Sequence, residues 1–181
     1  MKQQSLNLKF QDYIYLQDMQ TCSFFEEILT RCKNFIDGNG HSMILVGKED
    51  MAKSFFFYAL YNHLKQNNDC YFKSIKQDSD FLSCEDLKED IIFLDSYNTS
   101  YGSKNGEILL FKFFNESKLK KSKVLFNNSI YHEQKPNLKD LESRMSSSLL
   151  INFPLLSDED KKIIIINFLK NRGLILTDQS I

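Results

Sequence analysis

Gly47, Lys53 and Ser54 are spaced as a phosphate-binding loop spaces its glycine, lysine and hydroxyl. They lie within Met-Ile-Leu-Val-Gly-Lys-Glu-Asp-Met-Ala-Lys-Ser, residues 43–54. There an apolar run meets a glycine, a short polar loop and a Lys-Ser pair that opens a helix. In such a turn, backbone N–H groups and the helix N-terminus hold phosphates. The lysine reaches the β and γ phosphates and the hydroxyl ligands Mg2+. The template G-x-x-x-x-G-K-[ST] is met except at its second glycine, where Ala52 stands. If that position needs a left-handed backbone, alanine costs on the order of 1 kcal/mol and weakens binding. Asp95 closes the apolar run 91–94, about 40 residues further on. A carboxylate there suits the same Mg2+ as Ser54. Ser96 follows, where a second acid would orient an attacking water. Serine cannot act as that base at neutral pH, so weak intrinsic hydrolysis is expected.

The elements that must position these groups alternate along the chain. Residues 42–46, 70–75, 91–94, 124–126 and 149–153 read as strands. Residues 22–36, 53–65, 107–119 and 138–145 read as helices, the first with apolar side chains in an i, i+3, i+4 rhythm. A last helix starts at Ser157, whose spacing to Asp160 is that of a capping box, and runs to Arg172, with Gly173 placed as its C′ residue. Asp158, Glu159 and Asp160 therefore read as caps rather than catalysts. Strands alternating with helices predict an α/β fold with a parallel sheet flanked by helices. Residues 78–90 are polar and acidic and read as loop and short helix. Residues 1–20 form a polar lead-in, read either as a frayed terminus or edge strand or as a linear docking peptide.

Composition narrows the function classes. The 181 residues suit one globular domain, and the net charge of −1 gives no overall footprint for duplex nucleic acid. Lys118, Lys120, Lys121 and Lys123 cluster behind a helix and read as a solvated C-terminal end rather than a nucleic-acid patch. Cys22, Cys32, Cys70 and Cys84 lack metal-type pairing and read as reduced thiols of a cytoplasmic protein. His41, His63 and His132 are scattered, and no apolar run approaches membrane length. Arginine is scarce, limited to Arg31, Arg144 and Arg172, so each guanidinium calls for an explanation that a lysine would not satisfy.

Five stretches carry a family resemblance: 47–54, 91–96, Glu-Ile-Leu-Leu-Phe-Lys-Phe-Phe-Asn at 107–115, Asp-Leu-Glu-Ser-Arg-Met at 140–145 and Pro-Leu-Leu-Ser-Asp-Glu-Asp-Lys at 154–161. In order and spacing they resemble the AAA+ region of the DnaA family of replication initiators, most of all its short Hda-type regulatory members. The resemblance covers nearly the whole chain. It implies a P-loop AAA+ αβα sandwich with a parallel sheet and a truncated helical lid. The implied division is a clamp-binding segment at 1–20, an AAA+ core at 21–155 and the first lid helix at 156–181. It implies ADP or ATP with Mg2+, weak or lost, held by Gly47, Ala52, Lys53, Ser54, Asp95 and Asn128, with Ser54 and Asp95 toward the metal. Asn127 competes with Asn128 for the sensor position. Arg144 matches the arginine finger that reaches a neighbouring subunit's nucleotide. Arg172 is not the family's second sensor arginine, since only the first lid helix is present.

Hda-type proteins begin with a clamp-binding motif of the Gln-Leu-Ser-Leu-Pro-Leu type. Gln3, Ser5, Leu6 and Leu8 match it, while Gln4 and Asn7 depart from it. Gln3, Leu6 and Leu8 are the expected anchors on the DNA polymerase sliding clamp. The implied activity is promotion of ATP hydrolysis on DnaA, with the sliding clamp and DnaA as partners and no sequence-specific DNA binding. A homo-oligomer is compatible with it. Two other readings stay open: a small P-loop ATPase, and a catalytically inert DnaA-like interaction module.

Overall fold

The computed structural model describes residues 14–22, 24–48, 51–84, 87–96, 101–128 and 135–174. Five parallel strands form one sheet: β1 (Ser42–Val46), β2 (Cys70–Ser74), β3 (Ile91–Asp95), β4 (Lys123–Asn128) and β5 (Leu149–Asn152), in the order β2-β3-β4-β1-β5. Five α-helices among the described residues precede, connect or follow them: α1 (Phe25–Asp37), α2 (Met51–Leu64), α3 (Lys104–Leu119), α4 (Lys139–Ser146) and α5 (Asp158–Lys170). This is the α/β sandwich that the alternating pattern predicts.

The central strands β1 and β3 are buried along their whole length, which is why they read as unbroken apolar runs. Their side chains alternate between two cores. Met43, Leu45, Ile91, Phe93 and Leu125 join Phe25, Phe56, Phe57 and Leu60 on the α1 and α2 side. Ile44, Val46, Ile92, Leu94, Val124 and Phe126 join Leu110, Phe113, Leu141 and Met145 on the α3 and α4 side. The edges are more open. Leu150 of the edge strand β5 offers its carbonyl outward, and Arg31 of α1 covers it with a 3.1 Å hydrogen bond from Nη2.

Residues 14–20 belong to the fold. Ile14, Asp18 and Met19 are buried, and a 3-10 turn at Leu16–Asp18 docks against α5. Only residues 1–13 of the expected lead-in lie outside the described residues. α5 opens as its sequence predicts: Ser157 Oγ accepts from Asp160 N at 3.0 Å and donates to the Asp160 carboxylate at 2.8 Å. It closes on Gly173, at φ 69°, with Leu174 N bonded to Leu169 O and Gly173 N to Lys170 O. Those two bonds make the Schellman stop that the glycine foretold. α3 closes in the same way, with bonds from Ser122 N to Ser117 O and from Lys121 N to Lys118 O, but Lys121 occupies the left-handed position at φ 62°.

Candidate nucleotide site and a half-buried arginine

Gly47 follows β1, Asp95 ends β3 and Asn127 is the last residue but one of β4, so all three sit at the carboxyl edge of the sheet. In open parallel sheets that edge is where ligands bind. Asp95 and Asn127 are register partners, and the period of two turns both toward α2. Lys53, in the first turn of α2, is 1% exposed and donates from Nζ to Asn127 Oδ1 at 2.6 Å. The Asn127 amide nitrogen donates to Asp95 Oδ1 at 2.7 Å and to Ser54 Oγ at 3.1 Å. One asparagine thus ties together the ammonium, the hydroxyl and the carboxylate that the sequence singled out.

Burial raises the Asp95 carboxyl above its usual range. The Asn127 hydrogen bond, the Lys53 charge and bonds to Ser96 offset only part of that desolvation. The charged form is therefore held at a cost that a nearby cation would relieve. Gly47 answers to close approach: a Cβ there would meet the Phe153 carbonyl oxygen at 3.2 Å and Lys53 Cδ at 3.3 Å. Beside it lies a cavity of about 100 Å3 lined by Gly47, Lys48, Phe153, Pro154 and Leu155. A helix N-terminus, an ammonium, a hydroxyl and a carboxylate at one sheet edge suit a phosphate chain and a hard divalent cation. Among the described residues no group of three or more His, Cys, Asp or Glu could hold a metal alone, so a cation here would draw its other ligands from phosphate and water.

Ala52 lies within α2 and is not among the described residues with positive φ. The left-handed strain weighed for it therefore does not arise. The left-handed residue beside the site is Ser96, at φ 60°. Asn128 is fully buried at the end of β4, and alternation turns it toward α3 and α4, away from α2. Asn127 is the asparagine bonded to Lys53, Ser54 and Asp95. The strand alternation could have separated the two, because 91, 93, 95, 125 and 127 all fall on the α2 side.

Arg144 is not joined to this constellation by any contact among the described residues. Its helix buries Leu141 and Met145 in the core on the opposite face of the sheet. The three arginines divide sharply. Arg31 is committed to the edge of β5. Arg172 forms a two-pronged pair with the buried Asp18, Nη1 to Oδ1 at 3.2 Å and Nη2 to Oδ2 at 3.0 Å, and stacks 3.6 Å over the Phe168 ring. Arg144 is half-buried, and its guanidinium makes no hydrogen bond or ion pair among the described residues. In the lysine cluster, Lys123 is occupied: its Nζ donates to the carbonyls of Phe35, Gly38 and Gly40 and closes the end of α1.

Comparison with known proteins agrees on the architecture. No family model and no curated protein matches the chain. Solved structures do. A structure described as a DNA replication initiation factor superposes with a TM-score of 0.63 at 18% identity, over 97% of this chain and 59% of that one. AMPPCP-bound DnaA from Aquifex aeolicus gives 0.60 at 19% identity, over 86% of this chain and 53% of that one. Domain III of DnaA from Thermotoga maritima gives 0.68 at 13% identity, over 94% and 76%. The chain has a DnaA-like AAA+ fold. It spans between half and two thirds of the first two of these chains. In this DnaA-like fold the sequence-predicted Gly47, Lys53, Ser54 and Asp95 come together at one sheet edge, Arg144 stands apart, and Gln3, Leu6 and Leu8 lie outside the described residues. No described helix is long and apolar enough to cross a membrane.

Proposed function

We propose that this chain is an Hda-like adaptor of replication initiation. Gln3, Leu6 and Leu8 anchor it to the DNA polymerase sliding clamp. Arg144 enters the nucleotide site of DnaA, promotes hydrolysis of its bound ATP and so holds back re-initiation. The chain's own site, with Gly47, Ala52, Lys53, Ser54, Asp95 and the strand-end asparagines, holds ADP or ATP with Mg2+ as a brace for the fold and turns it over poorly, since Ser96 offers no base. Such a role belongs in the cytoplasm.

The observation that carries this reading is the partition of the arginines. Arg31 and Arg172 are spent on internal bonds, whereas Arg144 presents a guanidinium with no polar partner among the described residues. A guanidinium that meets developing phosphate charge accelerates phosphoryl transfer by about 10³–10⁵-fold. The test is DnaA-ATP hydrolysis in the presence of DNA-loaded clamp. Wild type should stimulate it and Arg144→Ala should leave it near the basal rate; equal behaviour of the two removes the mechanism.

The assembled Lys53, Asn127 and Asp95 network favours a second reading, a small P-loop ATPase. Turnover by the isolated chain that disappears in Lys53→Ala would select it. A catalytically inert interaction module would bind the clamp and leave DnaA turnover unchanged.

A further inference from the structure

α4 has only eight residues, too few for a helix to hold its place by propensity alone. Its N-cap residue is Leu138, which supplies no side-chain cap. A distant side chain takes over that task. Glu107, in the first turn of α3, is 2% exposed. Its Oε2 accepts from Leu138 N at 2.8 Å, and its Oε1 accepts from Asn137 N at 3.0 Å and from the Asn137 side-chain amide at 3.4 Å. The same Oε1 accepts from Gly102 N at 3.0 Å, so the segment leading into α3 is held in the same grip. Among the described residues no lysine or arginine pairs with this carboxylate; its charge is met by N–H donors. Burial alone would raise the Glu107 carboxyl, but the donors from Asn137, Gly102 and Leu138 outweigh it and hold the group below its usual range.

α4 carries Arg144, nearly two turns beyond the clamped residues. We propose that Glu107 is the positioning residue for Arg144: its carboxylate fixes the entry of α4 and thereby the place where the guanidinium is presented. The inference rests on the reading that Arg144 acts on a partner's nucleotide. It assigns to the α3–α4 junction a part in that reaction without contact with any reacting atom. A carboxylate suits the task because the points it bonds at the α4 entry, two backbone N–H groups and one side-chain amide, are all donors. A glutamine of the same size turns an NH2 toward donors and loses half of the grip.

The experiment titrates wild type, Glu107→Gln, Glu107→Asp and Arg144→Ala against DnaA-ATP on DNA-loaded clamp and separates the plateau rate from the half-saturating concentration. Glu107→Gln should lower the plateau by about tenfold or more, as small misplacements of a reacting group do, with half-saturation unchanged within about twofold. Glu107→Asp, which keeps the charge, should recover part of the plateau. Hydrogen exchange gives a second readout that does not depend on DnaA. In Glu107→Gln the amides of 137–146 should exchange about tenfold faster or more while those of β1 stay protected. Full activity in Glu107→Gln with none in Arg144→Ala overturns the inference and leaves the adaptor reading standing. Unchanged exchange over 137–146 overturns it whatever the activity. No stimulation by wild type overturns the adaptor reading, and the inference with it.

Discussion

Asn127 decides the character of the site at the scale of single residues. Its amide has one acceptor and two donated hydrogens, and all are used: the oxygen on Lys53, the nitrogen on Asp95 and Ser54. Asn127→Leu would take one hydrogen bond from each of a buried ammonium, a carboxylate and the Ser54 hydroxyl, so about 2–3 kcal/mol of stability should be lost in urea unfolding. Asp95 should behave in the opposite sense. Its folded-state pKa lies above the ordinary carboxylate value, so the folded chain binds a proton more readily than the unfolded one. Stability from this group is therefore greatest at low pH and falls as pH rises through the window that opens at about 3.9. Asp95→Asn removes that dependence. Its melting temperature should match wild type near pH 4 and equal or exceed it near pH 7, with Mg-nucleotide binding lost. A variant that melts well below wild type at pH 7 would show that the charge, not its burial, dominates.

At the scale of elements, helix ends show what local sequence can and cannot specify. The stop of α5 is legible because Gly173 is the residue that left-handed geometry favours. The matching stop of α3 is hidden, because a lysine occupies its left-handed position and nothing in a lysine announces that backbone. Lys121→Gly should therefore stabilise the fold by about 0.5–1 kcal/mol, the steric cost of a left-handed side chain less the entropy of glycine. That gain would appear as a rise of about 1–4 °C in melting temperature. A fall would mean that the lysine side chain has a stabilising role of its own. The strands were legible for a related reason. A strand buried on both faces reads as a continuous apolar run, and β1 has one at 43–46 and β3 at 91–94. The Glu107 grip on α4 was not legible, because its partners there lie about 30 residues away and its two shorter bonds go to backbone N–H groups, which nearly every residue possesses.

At the scale of the whole molecule, the two ends of the described chain are joined by the pair least visible in the sequence. Asp18 has no exposed surface, and it accepts from Tyr15 N, from the Asn171 amide and from both prongs of Arg172, 154 residues away. Neither residue carries a local signal, since an aspartate in a polar segment and an arginine near a helix end both read as surface. The pair fixes α5 against the segment that leads back toward Gln3, Leu6 and Leu8. Removing one partner from a buried ion pair costs more than the pair contributes, because the remaining charge is stranded. Arg172→Ala should therefore destabilise the chain by about 3 kcal/mol, more than Asp18→Asn, in which the neutral amide keeps an acceptor for Tyr15 N and strands only the partly exposed guanidinium. The adaptor reading adds a functional expectation. If the clamp anchor and the AAA+ core act as one body, loosening this junction should lower stimulation of DnaA on the clamp while a Met1–Phe10 peptide binds the clamp as before. Urea melts of the two variants, taken beside clamp-dependent DnaA turnover, separate these effects. Stimulation that survives in Arg172→Ala under conditions where the variant is fully folded would show that the anchor works as a tether alone.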